Sequence, residues 1–592
     1  MKFQTNKTGQ QIVFLAILIT AYLLPRAGAI GKFVAVDEVN WLHRSGLFYD
    51  ALIKRNWSGT FTNNSPGVVT SWVGALAFRI AAPSFKVPQE SQYLEEKNKT
   101  SYSTFQNELV WKVGVQPLYV LAISRVIMIL LLLAVLLGCY YYAQRLLGLW
   151  PSLLGFLIIA LDPFIIALTR MSHLDAPQAL FMFLSVLAFM NFVFRGNRWF
   201  DLVFSGIAGG LAFLSKLPGA FIIPTIGLIA LWEFYRSWAK NNPGHSFFGD
   251  ASFKIMFRSL LIWGLVFWIT YIALWPSMWV RPVRTIQNML GTTTKYSSTI
   301  IEGGGGEQEE DTNSAFSRSI LDYFRYPESF LWRTTPIVLL GLVFLLVMNI
   351  SRKEQGFDRP TSEGIIGLLT FAVVYTVGMT LPAKSSEKYY APVHLVMDFL
   401  AGLGWYYFSV NLTKRFKANQ RIITCSITLI TAIVIQGIWV VQSYPYYFTY
   451  YNPLFGGLKT ATQVRFIGVG EGLDQVGLYL NKKPDSSDLN VMSWYGTGSV
   501  SYFFDGHVFP LYMSNTAWTP EFIQKLKQMD YLVIYANQKF RNQPPELFNL
   551  LSGVVPEHIV VIDGAEYAWI YKVSDLPFPE PEQQSNILFS PI

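Results

Sequence analysis

About eleven stretches of roughly twenty mostly apolar residues recur along this chain, and they limit what it can become more than any other feature. They lie near 11–30, 117–138, 150–169, 174–194, 199–215, 217–235, 257–280, 334–350, 363–382, 389–412 and 421–443. A helix of that length matches the hydrocarbon thickness of a bilayer, and a backbone inside lipid has to satisfy its own hydrogen bonds. The expected fold is therefore a polytopic α-helical membrane protein. Composition agrees, since 52% of the 592 residues are hydrophobic and 14% charged, against roughly 25% charged in ordinary soluble domains. The fifth run is short, and its boundary with the sixth falls at LSKLPG, around Lys216 and Pro218. The first run reads as a retained span, because no small-residue cleavage site followed by soluble sequence comes after it.

The net charge of +8 does not point to nucleic acid, because lysine and arginine are spread over short loops and form no basic stripe. Cys139 and Cys425 sit far apart in separate apolar runs, so neither a disulfide framework nor a cysteine metal site is indicated. The basic residues instead orient the spans. Alternate loops hold Lys2 and Lys7, Arg145, Arg195 and Arg198, Arg236 to Arg258, Arg352 and Lys353, and Lys414 to Arg421, and these loops are expected in the cytoplasm. The opposite side receives 31–116, the turn from Arg170 to Asp175, the loop 281–333, KSSEKYY, and everything after Ser443. The expected location is the plasma membrane, multi-pass, with the amino end cytoplasmic and the carboxyl end extracytoplasmic.

Beyond Tyr450 the texture becomes that of a water-soluble α/β unit. EGLDQVGLYLNKK has helical spacing, whereas LNVMSW, DYLVIY and HIVVIDGAEYAWIYKV read as strands, the last broken by the hairpin pair Asp563-Gly564. Thr519 is a candidate N-cap for TPEFIQKLKQ. The expected organisation is a membrane module over 1–449, a small α/β extracytoplasmic domain over 450–576, and a loose tail over 577–592.

The chemistry is expected on the extracytoplasmic side. In VDEVNWLHRSGLFYDALI, a helix would put Asp37 on one face with Trp41 and Arg44, and Glu38 about 100° round. Asp37 then has two readings: an N-cap with Glu38 complementing the helix dipole, or a carboxylate able to take a proton from an attacking hydroxyl. Arg170, Lys384 and Lys388 suit a lipid-linked phosphate, by charge and, for arginine, by its planar fork. Arg170 reads equally as an interfacial anchor, and Tyr389 as part of an aromatic belt. His173 and Asp175 are two residues apart, too few for a metal site and equally compatible with a capped turn. Arg281, Arg284, Arg325 and Arg333 read as interfacial flanks. The stretch IEGGGGEQEEDT reads as a solvated loop rather than a lid.

These pieces together resemble the GT-C glycosyltransferases of family 39, the group of the protein O-mannosyltransferases and aminoarabinose transferases. The resemblance rests on VDEVNW after the first span, NNSPGVVTSWVGALAF, AKSSEKYYAPVH between late spans, and SYPYYFTYYNPLFGG followed by GVGEGLDQVGLYLN. It implies transfer of a mannose-like hexose from a polyprenyl-phosphate carrier to an acceptor hydroxyl, with inversion and without a metal or other cofactor. The acceptor would be a protein, glycolipid or polysaccharide. Carried over by position, Asp37 would be the general base, Glu38 a second acid orienting acceptor, and Lys384 with Lys388 the cations on the departing phosphate. Tyr389 and Arg170 would line the donor, and His173, Asp175 and Trp41 would stand near the acceptor or support the site. Two departures stand out: Ser65 precedes Pro66 where relatives often carry His or Lys, and Lys388 stands where Arg is usual. The rival reading is a polyprenyl-lipid or glycan transporter, which would need ionisable groups in mid-span.

Overall fold

Each of the apolar runs forms helix among its described residues. The computed structural model describes residues 7–87, 105–106, 108–196, 198–241, 251–298, 324–351, 359–380, 386–511 and 518–578. Lys384, the glycine-rich acidic stretch and the tail beyond 578 lie outside the described residues. The chain divides into two units: 1–31, 40–302 and 310–457 form the first, and 32–39, 303–309 and 458–592 the second. Residues 32–39, assigned above to the membrane module, thus fold with the C-terminal unit.

The first unit is helical. Its elements are α1 (Lys7–Ala27), α2 (Val36–Ile53, whose first turn belongs to the second unit), α3 (Val68–Ala81), α4 (Pro117–Leu147), α5 (Leu149–Ala160) and α6 (Pro163–Arg170). Then come α7 (Asp175–Phe194), α8 (Trp199–Ser215), α9 (Ile222–Asn241), α10 (Ala251–Ala273) and α11 (Pro282–Ser298). The last are α12 (Arg325–Arg333), α13 (Pro336–Ser351), α14 (Arg359–Thr380), α15 (Ala391–Leu412) and α16 (Ala418–Gln442). Among the described residues seven helices are long and apolar enough to cross a membrane, or nine if each of two bent pairs counts as one span. The two expected spans that do not meet this test are α8, which is short, and α15, which carries His394 and Asp398.

The bends have local causes. α5 and α6 meet at 69°, where Asp162 caps α6 by accepting the Ile165 N–H (2.9 Å) and Pro163 opens the new helix without an amide to donate. At LSKLPG, α8 ends at Ser215, Lys216 is extended, and a 3₁₀ turn over Leu217–Phe221 leads into α9. The centre of the bundle is α7, apolar on all sides and almost wholly buried against α4, α8 and α15.

α15 is held between α5 and α13 by glycine contacts that bring backbones together. A Cβ on Gly404 would stand 1.8 Å from the Gly341 carbonyl oxygen, and one on Gly402 would stand 2.4 Å from the Gly155 Cα. Backbone cannot step aside as a side chain can, so Gly404→Ala is expected to destabilise by about 1–3 kcal/mol. Gly264→Ala, in α10 where an added Cβ meets nothing within 4 Å, is expected to leave stability unchanged or raise it by up to about 1 kcal/mol. Thermal unfolding of the two variants in the same detergent checks the contrast.

The second unit carries a five-stranded sheet in the order β2-β1-β3-β5-β4. Its strands are β1 (Asn490–Trp494), β2 (His507–Leu511), β3 (Tyr531–Tyr535), β4 (His558–Ile562) and β5 (Ala565–Lys572). β2, β1 and β3 are parallel, and β5 pairs antiparallel with β3 and β4. Asp563 (φ +48°) and Gly564 (φ +77°) make the β4–β5 hairpin turn. α17 (Leu473–Leu480) and α18 (Pro520–Lys527) accompany the sheet, and Thr519 caps α18 by accepting the Phe522 N–H at 3.2 Å. At the edges, β2 contains Pro510, and β4 pairs with β5 across a register shift at Val560 and Val561, where β5 carries the extra residue Tyr567.

Candidate active site

The start of α2 is capped by a residue other than Asp37. Ala35, not Asp37, stands at the cap: its carbonyl accepts the Glu38 N–H (2.9 Å), and its own N–H donates to Glu38 Oε2 (3.2 Å). This is the acid half of a capping box. Glu38, expected to orient acceptor, is wholly buried with its carboxylate turned back onto the chain. Asp37 remains in the first helical turn, half-buried, where the positive end of the helix favours its charge. Further along α2, burial and then the Arg44 charge push the His43 pKa down to about 4, so this imidazole is neutral at physiological pH.

One turn beyond Asp37, Trp41 connects α2 to the second sequence motif. Its buried ring packs against Gly67 (φ +57°), where an added Cβ would lie 2.1 Å from the indole, and Arg44 stacks over the ring at 4.6 Å. Only glycine, with a positive φ and no side chain, fits there. The same Gly67 position also approaches Leu174, and the Thr70 hydroxyl donates to the His173 carbonyl (3.1 Å). The SPG turn therefore rests on the segment from Arg170 to Asp175.

That segment holds a buried charge cluster. His173 Nδ1 lies 2.9 Å from Asp175 Oδ2, and Lys216 Nζ lies 2.5 Å from Asp175 Oδ1. The Lys216 ammonium also sits over the Tyr389 ring, 3.5 Å from its centroid, and Lys388 acts on Asp175 through its charge. Two α14 hydroxyls fix the 3₁₀ turn Glu387–Tyr390: Tyr375 donates to the Tyr389 carbonyl (2.8 Å), and Thr376 bonds the Tyr390 hydroxyl (2.7 Å). Arg333 anchors the start of the turn, with Nε 2.5 Å from Glu387 Oε2 and further bonds to the carbonyls of Phe448 and Tyr450 and to the Tyr451 hydroxyl.

The first unit thus brings Trp41, His173, Asp175, Lys388 and Tyr389 into one contiguous network. Arg170 has a different setting. It is buried, donates to the carbonyls of Pro445 (2.6 Å) and Ala29 (2.7 Å), and lies over the Tyr447 ring, which ties three chain segments together. The sequence marks Lys216 only as a span boundary. The missed signal is a lone lysine at a helix break between two apolar runs, a position that lipid would penalise without a partner. Arg333, read as an interfacial flank, is a buried staple, whereas Arg281 and Arg284 are exposed.

Residues 117–263 match the family model described as dolichyl-phosphate-mannose-protein mannosyltransferase. No curated protein matches the chain. Among solved structures, ArnT from Cupriavidus metallidurans bound to undecaprenyl phosphate aligns over 95% of this chain and 98% of its own at 13% identity, with a TM-score of 0.48. The oligosaccharyltransferase AglB from Archaeoglobus fulgidus aligns over 90% and 69% at 12% identity, with a TM-score of 0.46. The Pmt1–Pmt2 protein O-mannosyltransferase of S. cerevisiae aligns over 48% and 35% at 17% identity, with a TM-score of 0.34. The family match spans α4 to α9 and part of α10, and there the chain is similar to the protein mannosyltransferases, the GT-C group that its motifs resemble.

Proposed function

We propose that the protein transfers a hexose from a polyprenyl-phosphate carrier to an acceptor hydroxyl on the extracytoplasmic side of the membrane, with inversion at the anomeric carbon. The single observation that supports this most is the network running from Trp41 through Asp175 and Lys216 to Lys388 and Tyr389. It gathers residues from motifs far apart in the chain around several cations and one buried acid, a composition suited to a phosphate with its lipid. In this reading Lys388, with Lys384, meets the charge developing on the leaving phosphate, while Lys216 and Tyr389 form the adjoining wall. Asp37 takes the proton of the acceptor hydroxyl, and Glu38 holds the helix start that carries it. Arg170 serves as scaffold. No metal is part of the proposed reaction, because protein cations meet the phosphate charge.

A transporter of polyprenyl lipids or glycans has one observation in its favour: Asp162, His394 and Asp398 are wholly buried in the bundle. One assay separates the readings. Purified protein in liposomes is given radiolabelled polyprenyl-phosphate hexoses and a panel of serine/threonine peptides, glycolipids and polysaccharide. Covalent transfer of label, lost in Asp37→Asn, is the expected result. Movement of label across the bilayer with no new glycosidic bond sinks the proposal.

A further inference from the structure

The second unit is joined to its amino-terminal segment by two glycine loops that the reaction as described leaves without a role. Residues 33–39 are buried except for Val36 and Asp37, which are half-buried. The loops GVGEG (468–472) and GTGSV (496–500) do the holding. The Ser499 hydroxyl donates to the Val34 carbonyl (2.8 Å), and the Val36 N–H donates to the Val469 carbonyl (3.0 Å). Gly470 (φ +129°) comes so close that a Cβ there would lie 2.4 Å from the Val34 oxygen. Gly498 (φ +79°) leaves the space that Val39 fills, since its added Cβ would lie 2.2 Å from a Val39 methyl.

The first loop is itself braced. The buried Glu471 carboxylate accepts the Val469 N–H (2.7 Å), the Gly470 N–H donates to the Tyr535 hydroxyl (2.9 Å), and the Asn537 amide donates to the Gly468 carbonyl (3.2 Å). Tyr535 ends β3, so the hold on Val36 traces back to the central strands of the sheet. The segment is gripped on both sides of Asp37, at Val34 and Val36 before it and at Val39 after it, while the Asp37 side chain stays partly uncovered. That arrangement is costly if the segment is only a linker, and fitting if one carboxylate must be held in place.

We infer that the loops 468–472 and 496–500 are the positioning device for the Asp37 carboxylate, so the C-terminal unit takes part in proton transfer through the backbone of residues 34–36. This rests on the reading of Asp37 as the base. A displacement of about 1 Å is enough to cost a reaction about 100-fold, and Ser499, Gly470 and Gly498 are the residues whose change would produce one.

The test uses the full-length protein and a donor–acceptor pair that the wild type turns over. Ser499→Ala and Gly470→Ala are compared with Asp37→Asn for kcat and donor KM, and hydrogen exchange of the 32–40 peptide is followed alongside. The expected result is a kcat lowered about 10-fold in Ser499→Ala and about 100-fold in Gly470→Ala, with donor KM within twofold and faster exchange confined to 32–40. Ser499→Thr, which keeps the hydroxyl, recovers most of the loss. Adding Val39→Ala to Gly498→Ala, which removes the colliding methyls, recovers part of the loss caused by Gly498→Ala alone. Unchanged exchange at 32–40, or wild-type kcat despite faster exchange while Asp37→Asn is inactive, overturns the positioning role alone. Wild-type turnover in Asp37→Asn overturns the reading of the base, and the positioning role with it.

Discussion

Replacing Asp37 by asparagine is expected to lower kcat for sugar transfer by roughly 10²–10⁴-fold, the range that a positioned general base contributes. The substitution keeps size and polarity, and Asp37 is not the residue that caps α2. That task falls to Ala35 and Glu38, whose reciprocal bonds involve no Asp37 atom. The helix should therefore form as before, with only a slight loss from removing a negative charge in its first turn. Donor KM is expected to change little, because the proposed phosphate contacts lie on other residues. Steady-state rates with circular dichroism in the same detergent decide the matter, and a variant that retains more than a tenth of the wild-type rate removes Asp37 from the chemistry. Glu38→Gln makes a useful contrast, since its expected effect is on stability more than on rate.

Lys216→Met should be the most destabilising single change in the charge cluster. The lysine and Asp175 are nearly excluded from solvent, with side-chain exposures of 12% and 1%. Removing one member of a buried pair strands the other charge, at a cost of about 3–5 kcal/mol. His173 Nδ1 still lies 2.9 Å from Asp175 Oδ2 in the variant's surroundings, so the carboxylate keeps one polar neighbour. Asp175→Asn added to Lys216→Met takes away the stranded charge, so the double variant should melt above Lys216→Met alone. Thermal unfolding of the four proteins in one detergent gives the coupling directly. If Lys216→Met melts with the wild type, the pair contributes nothing to the fold. On the proposed function Lys216→Met should also raise donor KM, because the ammonium and the Tyr389 ring form one wall beside Lys388.

Much of the architecture could be read from the chain because lipid and sheet impose strict patterns. Apolar runs became helices wherever they were expected, and the Asp563-Gly564 turn and the Thr519 cap follow from chemistry confined to a few adjacent residues. β2 is not legible in the sequence, because HVFPL has neither alternation nor a β-branched majority, and contains a proline. The cap of α2 is hidden for a related reason: an alanine at the cap gives no signal of its own, and only the return bond from Glu38 reveals it. The site was half legible. Of the network in the first unit, motif order indicates Lys388 and Tyr389, but Lys216 reads only as a break between spans, and nothing near Arg170 signals that two carbonyls accept from its guanidinium. The grip on residues 34–36 was out of reach, since Val34 and Ser499 are 465 positions apart and nothing local records their meeting.

The outer strands of the sheet bear on how the protein behaves among its neighbours. A free strand edge invites another chain to continue the ladder. Here one margin holds Pro510, which has no amide hydrogen to offer, and the other, β4, follows the added twist where its partner β5 inserts the extra residue Tyr567 opposite Val560 and Val561. A crowded membrane surface brings many copies of this unit face to face, and neither margin gives them a straight template on which to zip together.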